Sequence, residues 1–115
     1  MTQIALNTEI ENLLKNIGCP VAYMFYEGNA DTYITYQQTF IEDTLAGDDA
    51  LIYGVYCYDF DIYSKTNFIN LAVSLINTMT AAGWTYQPSR NSPDLYERDT
   101  KFYHKTICLA RESEV

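Results

Sequence analysis

Three residue types in this chain could carry chemistry: a single histidine, His104; two aspartates on one strand, Asp59 and Asp61; and three cysteines, Cys19, Cys57 and Cys108. One histidine gives a metal cage or a nucleophilic triad only one candidate. Flanked by Tyr103 and Lys105, it is expected half-buried in a sheet, donating to a carboxylate or backbone group, with a place at a subunit interface as the second reading. Asp59 and Asp61 project from the same side of an extended segment, close enough to share a divalent cation or to titrate as a split pair. Such a site needs further ligands, and the ordinary expectation is a strand end salt-bridged to Lys65, Lys101 or Lys105. The cysteines are odd in number and far apart, unlike a disulfide framework or a zinc site, and are expected to pack as small buried hydrophobes. Neither a P-loop, a GxGxxG after a strand, a GxSxG elbow nor HExxH occurs in the chain. The expectation is a protein that is not an enzyme and takes no cofactor or metal.

The elements that would position these residues follow from periodicity. Ile10, Leu13, Leu14 and Ile17 form one helical stripe, with Thr8 and Glu11 at capping-box spacing and Gly18 and Pro20 as the stop. Val21 to Tyr26 and Tyr33 to Ile41 have strand composition, and the turn residues Gly28, Asn29 and Asp31 between them predict a hairpin. Ile34, Tyr36, Gln38 and Phe40 then share one face, and Tyr33, Thr35, Gln37 and Thr39 the other. The acidic segment Glu42 to Asp49 is expected to be a loop. Leu51 to Tyr63 is the longest extended segment, with neither face simply polar, so it should protrude beyond its neighbours or continue a sheet into another subunit. Ile69, Ala72, Val73, Ile76 and Met79 form a second helical stripe that stops at Gly83. Trp84 to Gln87 predicts a short strand, Pro88 to Pro93 a polar loop, and Tyr103 to Ala110 a last strand, after which Arg111 to Val115 should fray.

The order α-β-β-β-α-β-β predicts an α+β fold: a largely antiparallel sheet of about five strands with two helices packed on one face, in a single domain spanning residues 1–115. Composition agrees, with 115 residues, 48% hydrophobic and 19% charged. No run approaches the roughly 20 apolar residues of a membrane span, and the N-terminus lacks the pattern of a secretion signal, so cytoplasmic synthesis away from membranes is expected. The net charge of −8 would repel phosphate backbones, which argues against sequence-specific nucleic-acid binding. Eleven of the seventeen aromatics are tyrosines, side chains common in strands and at interfaces.

Two longer segments resemble a known family. The run YGVYCYDFDIYSK followed by a helix and AAGW, and the later DLYERDTKFYHKTICLA, look like the tail-completion, or tail terminator, proteins of long-tailed phages and prophages. The likeness spans about residues 20–110 and takes in the YITYQQT strand with the acidic segment after it. It implies a small α+β subunit that forms a homo-oligomeric ring, expected as a hexamer, on the head-proximal end of the tail tube. Such a ring ends polymerisation of the major tail tube protein and offers a surface to the head-tail connector protein. It implies a place in the virion after synthesis in the host cytoplasm, with no cofactor and no catalytic residues to carry over.

The candidate interface residues are Tyr53 and Tyr63 with Asp59 and Asp61 on the long strand, Leu95 and Tyr96 among the charges of PDLYERDTKFYHK, and His104. If the outer face of the strand is an interface, Tyr53→Ala or Tyr63→Ala should weaken oligomerisation more than folding. Acidic walls would let DNA pass a ring lumen without sticking. The alternative from another class is a small acidic cytoplasmic binding module or inhibitor that mimics nucleic acid, which would need carboxylates regularly spaced over one face.

Overall fold

The computed structural model describes residues 3–44 and 53–114. Its elements run α1 (Gln3–Leu14), β1 (Val21–Tyr23), β2 (Thr32–Thr44), β3 (Tyr53–Ser64), α2 (Ile69–Ala81), β4 (Thr85–Tyr86), a 3-10 turn (Pro88–Arg90), β5 (Leu95–Glu97) and β6 (Phe102–Glu114). The fold is α+β, with both helices on one face of a sheet in the order β1-β2-β3-β6-β4 and β5 also paired to β6. The expected element order holds, and β5 makes six strands instead of about five.

Local chemistry explains where the elements stop and where expectation and structure part. α1 buries Leu6, Ile10 and Leu14, a stripe of i, i+4 and i+8 that starts a turn earlier than the predicted one. Thr8 is therefore mid-helix, its hydroxyl donating back to the Ile4 carbonyl instead of capping. In α2 the buried residues are Leu75 and Met79, with Phe68 just before the helix. Ile69 and Val73 of the predicted stripe face outward, because the helix is rotated toward Leu71, Ala72 and Ile76. Asn67 accepts from the Ile69 amide at its start, and Gly83, at φ +100°, ends the segment with its amide on the Thr80 carbonyl.

β1 does not form a hairpin with β2. The two strands run parallel, Val21 opposite Ile34 and Tyr23 opposite Tyr36. Only three residues pair, so the return loop has roughly 10 Å to cover, well within reach of residues 24–31. Turn residues predict a reversal of the chain but not whether the next strand starts beside the end or the beginning of the first.

β3 is the centre of the sheet. It pairs antiparallel with β2 on one edge and β6 on the other, each over its whole described length. It neither protrudes beyond its neighbours nor has a free edge to continue a sheet elsewhere, because both neighbours are 13 residues long. Glu42 to Thr44 belong to β2 and Arg111 to Glu114 to β6, so the first residues of the expected loop and the described part of the expected frayed tail are paired strand. The rest of the acidic segment, and Leu51 and Ile52, lie outside the described residues. Strands of this length span roughly 40 Å, against about 20 Å for either helix, so the three long strands run on past the helical layer. The molecule is accordingly elongated, 53 × 26 × 23 Å.

The core between helices and sheet is aromatic. Tyr36, Tyr58, Phe60 and Trp84 touch ring to ring with centroids 5.6–6.4 Å apart. Their polar atoms are matched: the Tyr58 hydroxyl donates to Asn7 Oδ1 at 2.7 Å and the Trp84 indole N–H to Glu9 Oε1 at 2.6 Å. Both bonds tie α1 to the rest of the chain.

Candidate functional site

The face of the sheet opposite the helices carries Asp59, Asp61, Tyr63 and His104 together with Cys57 and Cys108. Register places Tyr33, Thr35 and Gln37 of β2 beside Tyr63, Asp61 and Asp59 of β3, and these beside His104, Thr106 and Cys108 of β6. A bulge between Gln38 and Phe40 then reverses the alternation, so Phe40 lies opposite Cys57 and joins this outer face. Sequence alternation instead groups Phe40 with Ile34, Tyr36 and Gln38.

One end of the outer face is an aromatic ladder. Tyr26 stacks on Tyr33, Tyr33 on Tyr63 and Tyr63 on His104, with centroids 4.6, 4.9 and 4.2 Å apart. Three of the four rings are direct cross-strand neighbours, the arrangement in which side-chain pairs couple best. Phe102 meets Tyr33 and Tyr63 edge-on, and the Lys65 ammonium lies 5.1 Å from the Phe102 ring centre. Tyr26 itself is held by the Ala30 amide, which donates to its hydroxyl. Gly28 is required beside it, since a Cβ there would collide with the same hydroxyl. Burial pushes the Tyr63 phenol up to about 12, with Asp61 and Tyr33 adding to the shift.

The other end is covered. The segment after β4 arches over it, and the Gln87 Oε1 lies 3.9 Å from the Cys57 thiol and 3.7 Å from the Cys108 thiol. Arg90 reaches further, its guanidinium 4.3 Å above the Phe40 ring and paired with Glu42. The interrupted edge of β6 is completed by side chains: Asn91 Oδ1 accepts the Cys108 amide and Ser92 Oγ the Thr106 amide. Cys57 and Cys108 are buried, and burial pushes the Cys108 thiol up to about 11, while Cys19 is only half-buried. Burial raises the Cys19 and Cys57 thiols as well, which favours the protonated form at all three positions.

Between the two ends lie the acids. Asp61 Oδ1 accepts from the Thr106 hydroxyl and from His104 Nε2 at 3.2 Å, both His104 and Asp61 being about four-fifths buried. His104 is thus bonded to a carboxylate within the sheet, as the sequence suggests, but is more deeply buried than the expected half. The expected lysine partners are elsewhere: Lys65 lies 3.7 Å from Asp31 and Lys105 2.8 Å from Asp94. Asp59 is left beside Cys108, and burial first, then the neighbouring Asp61, raises its carboxyl above the usual range. Among the described residues no group of three His, Cys, Asp or Glu side chains converges as metal ligands do. Asp59, Asp61, Tyr63 and His104 are therefore brought together, but as a packed and hydrogen-bonded patch.

Leu95 and Tyr96 stand apart on β5, about half exposed, with Tyr96 against Tyr103 at 4.8 Å. Tyr53 opens the described part of β3, and its side chain lies outside the described residues. Two features had no sequence signal: Arg90 and Gln87 look like loop residues, and the exposed run Tyr23, Met24 and Phe25 looks like ordinary strand.

No protein-family model matches the chain, and no curated protein sequence does. Among solved structures the fold is shared with a chain from the "Virion of native gene transfer agent (GTA) particle", at a TM-score of 0.60 and 12% identity, over 92% of this chain and 84% of that one. At that identity the likeness establishes a common architecture. The class is thus an α+β sheet domain of a kind also found in a gene transfer agent particle.

Proposed function

We propose that the chain is a structural subunit of a phage or prophage particle, specifically a tail terminator: a ring on the head-proximal end of the tail tube that ends tube growth and joins tail to head. The observation that carries this reading is the near full-length likeness to a chain of a gene transfer agent virion. The tail-completion resemblance of YGVYCYDFDIYSK and DLYERDTKFYHKTICLA is what favours the tube end within that role. The protein then acts through surfaces and not through bond-making, with the major tail tube protein, the head-tail connector and copies of itself, as a hexamer, for partners. The patch of Asp59, Asp61, Tyr63 and His104 serves to stiffen the sheet. The acidic-mimic alternative gains little support, because Asp31, Glu42, Asp61 and Asp94 are each paired with a basic group and are spread over separate surfaces.

Deleting the gene from its phage or prophage tests this. Electron microscopy should show tail tubes of uncontrolled length and heads without tails, and the wild-type chain should be found at the tube end by labelling. Normal particles from the deletion strain would sink the reading.

A further inference from the structure

β4 and β5 are two ends of one interrupted strand. Both run antiparallel to β6 along the edge away from β3, with Tyr86 opposite Leu109 and Leu95 opposite His104. Between those pairs, residues 87–94 accompany a stretch of β6 only half as long, residues 105–108. A regular strand has no room for the surplus. Extra residues in a strand bend it and re-aim its side chains, and here they are thrown over the outer face as a strap whose crest is the 3-10 turn Pro88–Arg90.

The root and the crest of this strap are held very differently. At the root the Gln87 amide donates to the Cys108 carbonyl and the Ser92 amide to the Thr106 carbonyl, and Asn91 and Ser92 accept from β6 in return. Beyond its own turn, the crest is attached among the described residues through Arg90 alone, which crosses β3 to the Phe40 ring and the Glu42 carboxylate of β2. The side chains of Arg90 and Glu42 are 40% and 45% exposed, and Pro88 and Pro93 are exposed too, so no apolar side chain of the strap is buried. An exposed ion pair with one cation–π contact is a weak fastening. Segments without buried apolar contacts are the ones that open locally. Beneath the strap lie the buried thiols of Cys57 and Cys108, both against the Gln87 side chain, and the ring of Phe40 that the bulge in β2 turns outward. The irregularities of the two strands flanking β3 thus meet over the same pair of cysteines.

We infer that the segment from Gln87 to Ser92 is a strap that opens and closes over Cys57 and Cys108, with the contact of Arg90 on Phe40 and Glu42 as its latch. Closed, it keeps both thiols out of reach. Open, it brings the Phe40 ring, the two thiols and the Asp59 carboxyl beside Cys108 to solvent, while β3 keeps both of its neighbours and the helical core on the other face is untouched. The latch is exposed, so added salt weakens it and shifts the strap toward the open form. The device is a property of the single chain and does not depend on the virion role.

Labelling the full chain with N-ethylmaleimide, followed cysteine by cysteine by peptide mass spectrometry, tests this. The thiolate adds across the maleimide double bond, so labelling of a covered thiol follows the fraction of time it is uncovered. Cys19, half-buried against the helical core, is the internal reference. Arg90→Ala and Glu42→Gln should each raise the rates at Cys57 and Cys108 by a common factor of roughly 3 to 30, with the Cys19 rate and the Tm unchanged. Raising the salt concentration should speed both sites more in wild type than in either variant. In wild type the two rates should also stay flat in urea too dilute to shift the emission of Trp84. Variants that label like wild type overturn the strap. So do rates at Cys57 and Cys108 that climb with urea in step with the tryptophan signal, because the thiols are then reached only by global unfolding.

Discussion

Replacing Tyr63 by alanine separates the two jobs its ring could have, and the geometry puts most of the effect on folding. Truncating a fully buried aromatic costs about 3–5 kcal/mol. Tyr63 is half-buried, so about 2 kcal/mol follows from burial alone. Its ring also lies between Tyr33 at 4.9 Å and His104 at 4.2 Å, and each such pair adds about 0.5–1.5 kcal/mol. The loss is then about 3–5 kcal/mol, a large part of a typical domain's stability. In a chain of this size that lowers the Tm by roughly 10–20 °C. Tyr63→Phe is the control: the contacts that hold the ring are all ring contacts, so it should stay within about 0.5 kcal/mol of wild type. Thermal melts by far-UV circular dichroism give both numbers. If Tyr63→Ala melts within a few degrees of wild type, or if Tyr63→Phe is as damaging, the ladder is not a stabilising unit and the reasoning fails.

Three further outcomes are expected. Glu9→Ala strips the acceptor from the Trp84 indole and the carboxylate 3.7 Å from Arg111, so urea unfolding followed by emission of the single tryptophan should show a loss of about 1–3 kcal/mol; an unchanged midpoint counts against the tie between α1 and the core. Asp59 has its folded-state carboxyl raised by burial and Asp61, so the native state binds the extra proton and stability falls as pH rises from the ordinary aspartate value through the raised one. Asp59→Asn should therefore melt higher than wild type at neutral pH, with the gap closing as pH drops through that window, and a gap that is constant with pH would contradict the assignment. Gly83→Ala places a Cβ 2.6 Å from Arg111 Nη1 at φ +100°, so a loss of about 1–2 kcal/mol in the same melts is expected, and a neutral result would mean that Arg111 moves aside freely.

Much of the fold was legible because periodicity reports burial. The two helices, the α+β class and the long central strand all follow from alternations of three to four or of two residues. What was not legible depended on partners distant in sequence. The bulge at Thr39 flips Phe40 to the outer face, and nothing in YQQTF marks which residue loses its pairing. Arg111 to Glu114 look like a fraying tail until Tyr53 to Tyr56 are seen opposite them. The site was half legible: identical side of one strand was enough to group Asp59, Asp61 and Tyr63, and His104 was expected near a carboxylate. The ladder was not, because it joins a loop and three strands, and the lysines expected on Asp59 and Asp61 found nearer acids.

The short parallel β1 leaves the edge of β2 open from Gln37 to Thr44, a row of backbone donors and acceptors of the kind that recruits foreign strands. The bulge at Thr39 breaks that row in the middle, so two copies approaching edge to edge meet a kinked border. Growth by sheet extension is thereby hindered along this side of the sheet.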